Sequence, residues 1–264
     1  MTIAEAAPAA IPSTSTSSAS IAQLSLPAAN QVHAARSYPP AFAAAPAPIT
    51  KPEGFVEKGS LVSFVAGVSA QNRDDVLNST LLAQLAADKQ CDREADVMNW
   101  YKAYTTVLGK VGWTIEGANF SAYSSSSASF SMDKAVLEIA GAALTGDEAA
   151  VVAATMDALG KLPSTDGRLK LFDHSASNGK EGNFQICVCT ETNGAVAMKT
   201  MAFWFTSDQS STTVLFFNYS SASTTLKKSV QGATLNTAVY ANVRNAVLDK
   251  LGQNAQQFVL DLDI

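Results

Sequence analysis

The sequence predicts an α/β domain, more closely α+β, built in three layers with helix pairs on both faces of a central, mainly antiparallel sheet. Three observations carry this. Apolar residues recur at spacings of three and four over residues 75–111 and again over 132–160, the pattern of helices with one buried face. The last hundred residues change to short β-rich runs separated by turn signals. Two of those runs are apolar on both faces, and such strands need cover above and below.

Taken in order, Leu61–Val65 is an apolar run of strand length. Asp75–Ala87 and Asp92–Val111 read as helices, the second with Met98, Tyr101, Thr105, Leu108 and Val111 on one stripe. Trp113–Phe120 is rich in β-formers, and Ser124–Ser127 is a loop or edge. Met132–Leu144 places Val136, Ala140, Ala143 and Leu144 on one helical face. Thr145-Gly-Asp-Glu148 is then a capping box that opens a second helix, ending near Gly160 with Pro163 beyond. Arg168–Phe172, Phe184–Cys189, Ala195–Phe205 and Thr212–Tyr219 read as strands, with hairpin turns at Glu191-Thr-Asn-Gly194 and Asp208–Ser211. Thr234–Leu251 is a last amphipathic helix, and Phe258–Leu262 a closing strand.

Residues 1–50 are of another kind. They hold seven of the nine prolines (Pro8, Pro12, Pro27, Pro39, Pro40, Pro46, Pro48), and their charges are Glu5 and Arg36 alone. Proline at this density interrupts helices and strands, and Ala, Ser and Thr bury little area. A disordered arm is expected over 1–50, with a short helix at Ile21–Leu26, followed by one domain over 51–264. Arg36 and Lys51 are basic sites at which proteolysis would release the arm.

Composition limits the function classes. Of the 264 residues, 47% are apolar, enough for a sizeable core. The net charge of −5 with no basic block argues against a nucleic-acid partner. Only 16% of residues are charged, and a Ser/Thr/Asn-rich surface of that kind suits an interface, so a homo-oligomer is expected. No run has the length of a transmembrane helix, and Glu5 stands where a Sec signal carries basic residues. Synthesis in the cytoplasm is expected, with storage as an inclusion or release by another route. Cys91, Cys187 and Cys189 form no disulfide framework, and His33 and His174 lack metal-ligand spacing, so no metal or other cofactor is expected.

Catalytic signals are sparse. Ser131-Met-Asp-Lys134 matches the Ser-x-x-Lys spacing of acyl-serine enzymes, but its companion motifs are absent, and a helix cap with an exposed lysine accounts for it. Asp173-His174 reads as part of a polar surface loop with no nucleophile placed beside it. Asp74, Asp75, Asp92 and Asp96 stand near helix starts, where they complement the macrodipole. The chain is expected not to be an enzyme, and no small-molecule substrate is evident. Trp100, Tyr101, Tyr104 and Trp113 form an aromatic group, ordinarily core, or an interface for lipid headgroups or glycans if part-exposed.

The segment Ala128-Ser-Phe-Ser-Met-Asp-Lys-Ala-Val-Leu-Glu-Ile139, the junction Ala143-Leu-Thr-Gly146 and the run Val214-Leu-Phe-Phe217 resemble the cytolytic (Cyt) δ-endotoxins. The resemblance spans roughly 128–220; the first half of the chain and the arm have no counterpart in it. It implies one α/β domain whose helices wrap an antiparallel sheet. It also implies a protein that binds membrane lipid and forms pores or disrupts the bilayer. The membrane-active strands would then carry Phe184, Ile186, Val188, Val196, Met198, Phe203, Trp204, Phe205, Val214, Leu215, Phe216 and Phe217. The alternative from composition is a self-assembling structural protein, a filament, tubule or inclusion subunit without membrane activity.

Overall fold

The computed structural model describes residues 14–27, 48–116 and 119–264. The N-terminal part runs α1 (Thr14–Ala22), β1 (Glu53–Glu57), β2 (Ser60–Phe64), α2 (Ala70–Gln90), α3 (Val97–Lys110), β3 (Trp113–Ile115), β4 (Ser121–Tyr123) and β5 (Ser129–Ser131). Three helices follow, α4 (Met132–Ala143), α5 (Gly146–Gly160) and α6 (Gly167–Ala176). The C-terminal part is β6 (Glu181–Thr192), β7 (Ala195–Ser207), β8 (Asn218–Ser220), β9 (Thr224–Leu235), α7 (Thr237–Leu251), α8 (Asn254–Phe258) and β10 (Val259–Leu262).

The main sheet has the order β10-β1-β2-β6-β7-β9-β3, with β4 also on β9. Every pair in it is antiparallel except β2–β6. Strands β5 and β8 form a separate two-stranded ribbon. Helices cover both faces. One core lies between the sheet and α2, α3 and α7, with Leu81, Leu85, Trp100, Tyr104, Val243 and Val247 buried in it. The other lies beneath α4, α5 and α6, with Val136, Ile139, Val152, Met156 and Phe172 buried. The fold is therefore the three-layer α+β arrangement read from the sequence, with α2, α3 and α7 on one face and α4, α5 and α6 on the other rather than a pair on each, and with α1 packed on α7.

Several local readings hold for physical reasons. Thr145 Oγ1 accepts the Glu148 N–H while a Glu148 carboxylate oxygen accepts the Thr145 N–H, a complete capping box. Asn193 and Gly194 both have positive φ, 52° and 78°, so the β6–β7 hairpin closes as a two-residue turn.

Other readings are corrected. Arg168–Phe172 is helical, part of α6, because Asp166 caps the helix by accepting the Arg168 N–H at 2.8 Å, and Leu169, Phe172 and Ala176 share a buried helical face. Thr212–Tyr219 is not a long strand. Val214–Phe217 is a turn whose carbonyls, those of Leu215 and Phe217, accept the first N–H groups of α4 from Asp133 and Met132. The third long strand is instead β9, whose paired lysines Lys227 and Lys228 hide its alternation. In α3 the buried stripe is Val97, Trp100, Tyr101, Tyr104, Val107 and Leu108, and Met98 is exposed. Leu235 belongs to β9, not to the last helix.

Within the segment read as an arm, the helix spans Thr14–Ala22 rather than Ile21–Leu26. Ile21 is buried, and Lys250 donates to the Ala22 carbonyl at 2.9 Å. Ile49 joins the same core and pairs by backbone with Val68. Arg36 and His33 lie outside the described residues; Lys51 is exposed in a bend.

Candidate functional site

The feature that stands out is the β6–β7–β9 meander. Its strands have 12, 13 and 12 residues, and β7 is paired along its length on both sides. Alternation divides the side chains into two faces. Toward α4–α6 point Phe184, Ile186 and Val188 of β6, Met201, Phe203 and Phe205 of β7, and Leu226 of β9. Phe184 and Phe203 stack with centroids 4.9 Å apart, and Phe172 of α6 meets Phe184 edge-on at 6.0 Å. Lys199 shares this face, where its ammonium meets Glu148 of α5 at 2.8 Å.

A glycine sets how closely this layer packs. A Cβ on Gly182 would overlap the Phe205 ring and come within 2.7 Å of the Ala176 carbonyl oxygen, where α6 ends against the sheet. Gly182→Ala is therefore expected to lower stability by about 2–3 kcal/mol in urea unfolding. Gly141→Ala in α4, where a Cβ meets nothing within 4 Å, is the control and is expected to stabilise slightly. Equal effects at the two positions would show that the α6–sheet contact is loose.

The opposite face is different. Cys187, Cys189, Val196, Met198 and Ala202 lie there, but so do buried Asn183, Gln185, Thr200, Ser229 and Gln231. Burial pushes the Cys187 thiol up to about 12, so it stays protonated. Asn183 and Gln185 belong to a buried polar network. The Tyr101 hydroxyl donates to Asn183 Oδ1 at 2.9 Å, and Ser60 Oγ donates to Gln185 Oε1 at 2.9 Å. Arg93 Nε donates to the Asn183 carbonyl at 2.9 Å and its Nη1 to Gln84 Oε1 at 3.0 Å, while its guanidinium lies 4.3 Å from the Trp100 ring centre. Gln84 Nε2 in turn donates to Glu57 Oε2 at 2.7 Å. Polar atoms on this side with no hydrogen-bond partner among the described residues include the Tyr104 hydroxyl of α3, the Tyr240 hydroxyl of α7, Gln185 Nε2, Trp204 Nε1, Ser229 Oγ and Gln231 Oε1.

The sequence-based candidates fall into three groups. Phe184, Ile186, Val188, Val196, Met198, Phe203, Trp204 and Phe205 lie on the meander, divided between its two faces. Val214 and Leu215 are buried in the α4–α6 layer, and Phe217 packs against it, but in a turn and not in the sheet. Phe216 is exposed and touches the position a Cβ on Gly160 would take. Trp100, Tyr101, Tyr104 and Trp113 are all buried, and the Trp113 indole donates to Ser79 Oγ at 2.9 Å. Core packing occupies them, which leaves no aromatic interface there in the folded state.

Ser131 precedes α4 and bonds to the Asp133 carboxylate, and Lys134 is exposed. Asp173 and His174 sit on α6 rather than in a loop, beside an open cleft of about 900 Å³. Asp173 Oδ1 accepts the Val214 N–H at 2.9 Å and so ties that turn to α6; burial pushes the carboxyl up to about 6. Among the described residues no group of His, Cys, Asp and Glu has metal-binding geometry, and no helix is long and apolar enough to cross a membrane.

No protein-family model matches the chain, and no curated protein matches it in sequence. Among the solved structures that resemble it distantly are these two. One is a δ-endotoxin, 10% identical, covering 78% of this chain and 91% of that one with a TM-score of 0.38. The other is described as the Evf virulence factor, 12% identical, covering 67% and 68% of the two chains with a TM-score of 0.32.

Proposed function

We infer that this protein is a membrane-active, toxin-like protein whose β6–β7–β9 meander enters or crosses the bilayer after its helical cover lifts. The observation that carries this reading is the meander itself: three adjacent antiparallel strands of 12–13 residues, joined in part by a tight hairpin and covered along most of both faces by helices. At about 3.3 Å per residue such strands reach roughly 40 Å, and a tilted transmembrane strand needs only about 9–11 residues. Three strands leave open edges, which hydrocarbon does not tolerate, so a pore requires several copies of the chain. Homo-oligomers on the membrane are part of the proposal.

Dye release from phospholipid vesicles tests it. The intact chain and protein cleaved after Lys51 are to be added to zwitterionic and to anionic vesicles. Release by at least one form, with oligomers recovered from the vesicles by cross-linking, is the expected result. An absence of release from every combination would end the reading.

A further inference from the structure

We propose that in the membrane-bound form the two faces of the meander meet different phases. The row carrying Phe184, Ile186, Met201 and Phe203 contacts lipid hydrocarbon, and the row carrying Gln185, Cys187, Thr200 and Gln231 contacts water. This rests on the membrane-active reading and deepens it, since that reading leaves both orientations open.

Register makes the two rows definite. Phe184 pairs with Phe203, and Ile186 pairs with Met201, which pairs in turn with Val230. On the other side Gln185 pairs with Ala202, which pairs with Ser229, and Cys187 pairs with Thr200, which pairs with Gln231. Apart from Lys199 and Lys228, the middle of the first face is apolar. The second carries amides and hydroxyls in consecutive rows, and Ser229 Oγ, Gln231 Oε1 and Trp204 Nε1 are unpartnered among the described residues. A buried polar atom without a partner is costly, so these atoms gain when water replaces the helices above them. The apolar face behaves in the opposite way, because it loses its burial when α4–α6 leave unless hydrocarbon takes their place. Apolar-out and polar-in alternation along each strand is the division that a membrane-spanning sheet requires. Lys199 and Lys228 fall on the lipid row. Their aliphatic stems are long enough to carry the ammonium toward headgroups.

Four consecutive residues of β6, Ile186-Cys187-Val188-Cys189, make the experiment direct. In Cys91→Ser protein the remaining thiols, Cys187 and Cys189, are 2% and 0% exposed in the folded form. They are expected to resist a charged, membrane-impermeant maleimide in solution and to label at least about tenfold faster once the protein is bound to vesicles. In a cysteine-free background, Ile186→Cys and Val188→Cys are expected to resist the charged reagent in both states and to react with a lipid-soluble maleimide on vesicles. Leakage with Cys187 and Cys189 still protected, or with positions 186 and 188 labelled as fast as 187 and 189, overturns the assignment of faces. An absence of leakage together with unchanged labelling strikes the membrane-active reading itself.

Discussion

Replacing Arg93 by alanine is expected to cost about 3–5 kcal/mol of folding stability, the largest effect of any single change in the buried polar layer. The guanidinium is 5% exposed and holds four separate pieces of the fold together. It donates to the carbonyls of Asn183 and Gly59 and to Gln84 Oε1, lies 3.9 Å from Asp88, and covers the Trp100 ring. Alanine leaves these acceptors unpaired and opens a cavity under α3. Arg93→Met fills most of the volume without the hydrogen bonds and is expected to fall between alanine and the parent. Urea unfolding measures both. An Arg93→Ala variant within 1 kcal/mol of the parent would mean that water or a rearranged Gln84 replaces the guanidinium at little cost.

The second large effect concerns Glu57, whose carboxyl is 1% exposed beside Gln84 and Thr80. Burial pushes its pKa up to about 8 from an ordinary 4.5, against the opposing pull of its hydrogen bonds and of Arg93. Between those two values the folded protein keeps a proton that the unfolded chain has lost. Stability therefore falls as pH rises from about 4.5 to about 8 and levels off above. The hydrogen bonds agree with a neutral carboxyl. Thr80 Oγ1 lies 2.7 Å from both the Val76 carbonyl and Glu57 Oε1; its one proton satisfies the carbonyl, and a protonated Glu57 donates to Thr80. Gln84 Nε2 then donates to the other oxygen. A glutamine at 57 reproduces this pattern atom for atom without a titrating proton. Glu57→Gln is accordingly expected to flatten the decline and to gain on the order of 3 kcal/mol over the parent at pH 8. Unfolding curves at pH 5, 6.5 and 8 check it; parallel pH profiles for the two proteins would show that Glu57 is already ionised at neutral pH.

These groups also mark where sequence reading stops. Helices α2, α4 and α5 and strands β6 and β7 were legible because period and capping agree: the Thr145–Glu148 box, the Asn193-Gly194 turn and the alternation of Met201, Phe203 and Phe205 each have a local cause. The exposed apolar-looking Met98 and the buried Trp100 could not be separated by period alone, since helical stripes are wide. Val214-Leu-Phe-Phe217 looked like a strand because burial and β-propensity coincide there. Its backbone is instead taken by Asp173 and by the first turn of α4, and neither partner is near in sequence. Strand β9 was hidden in the opposite way, by Lys227 and Lys228 in mid-strand. The network of Glu57, Gln84, Arg93 and Asn183 draws on β1, α2, a loop and β6, so no spacing rule reaches it. In sequence the two faces of the meander read as one apolar surface, and only the register separates them.

The outer pair of the sheet joins Gly54 to Leu262 and Glu57 to Val259, residues from opposite ends of the described domain. The β6–β7 hairpin closes over a two-residue turn, whereas this pair closes over nearly the whole domain. Contacts of such long sequence separation slow folding, because loop entropy is lost before the contact rewards it. During synthesis the hairpin is complete well before β10 exists, and β1 waits with an unpaired edge until then. The newly made chain thus passes through a stage in which its sheet is open on that side and prone to association with its neighbours.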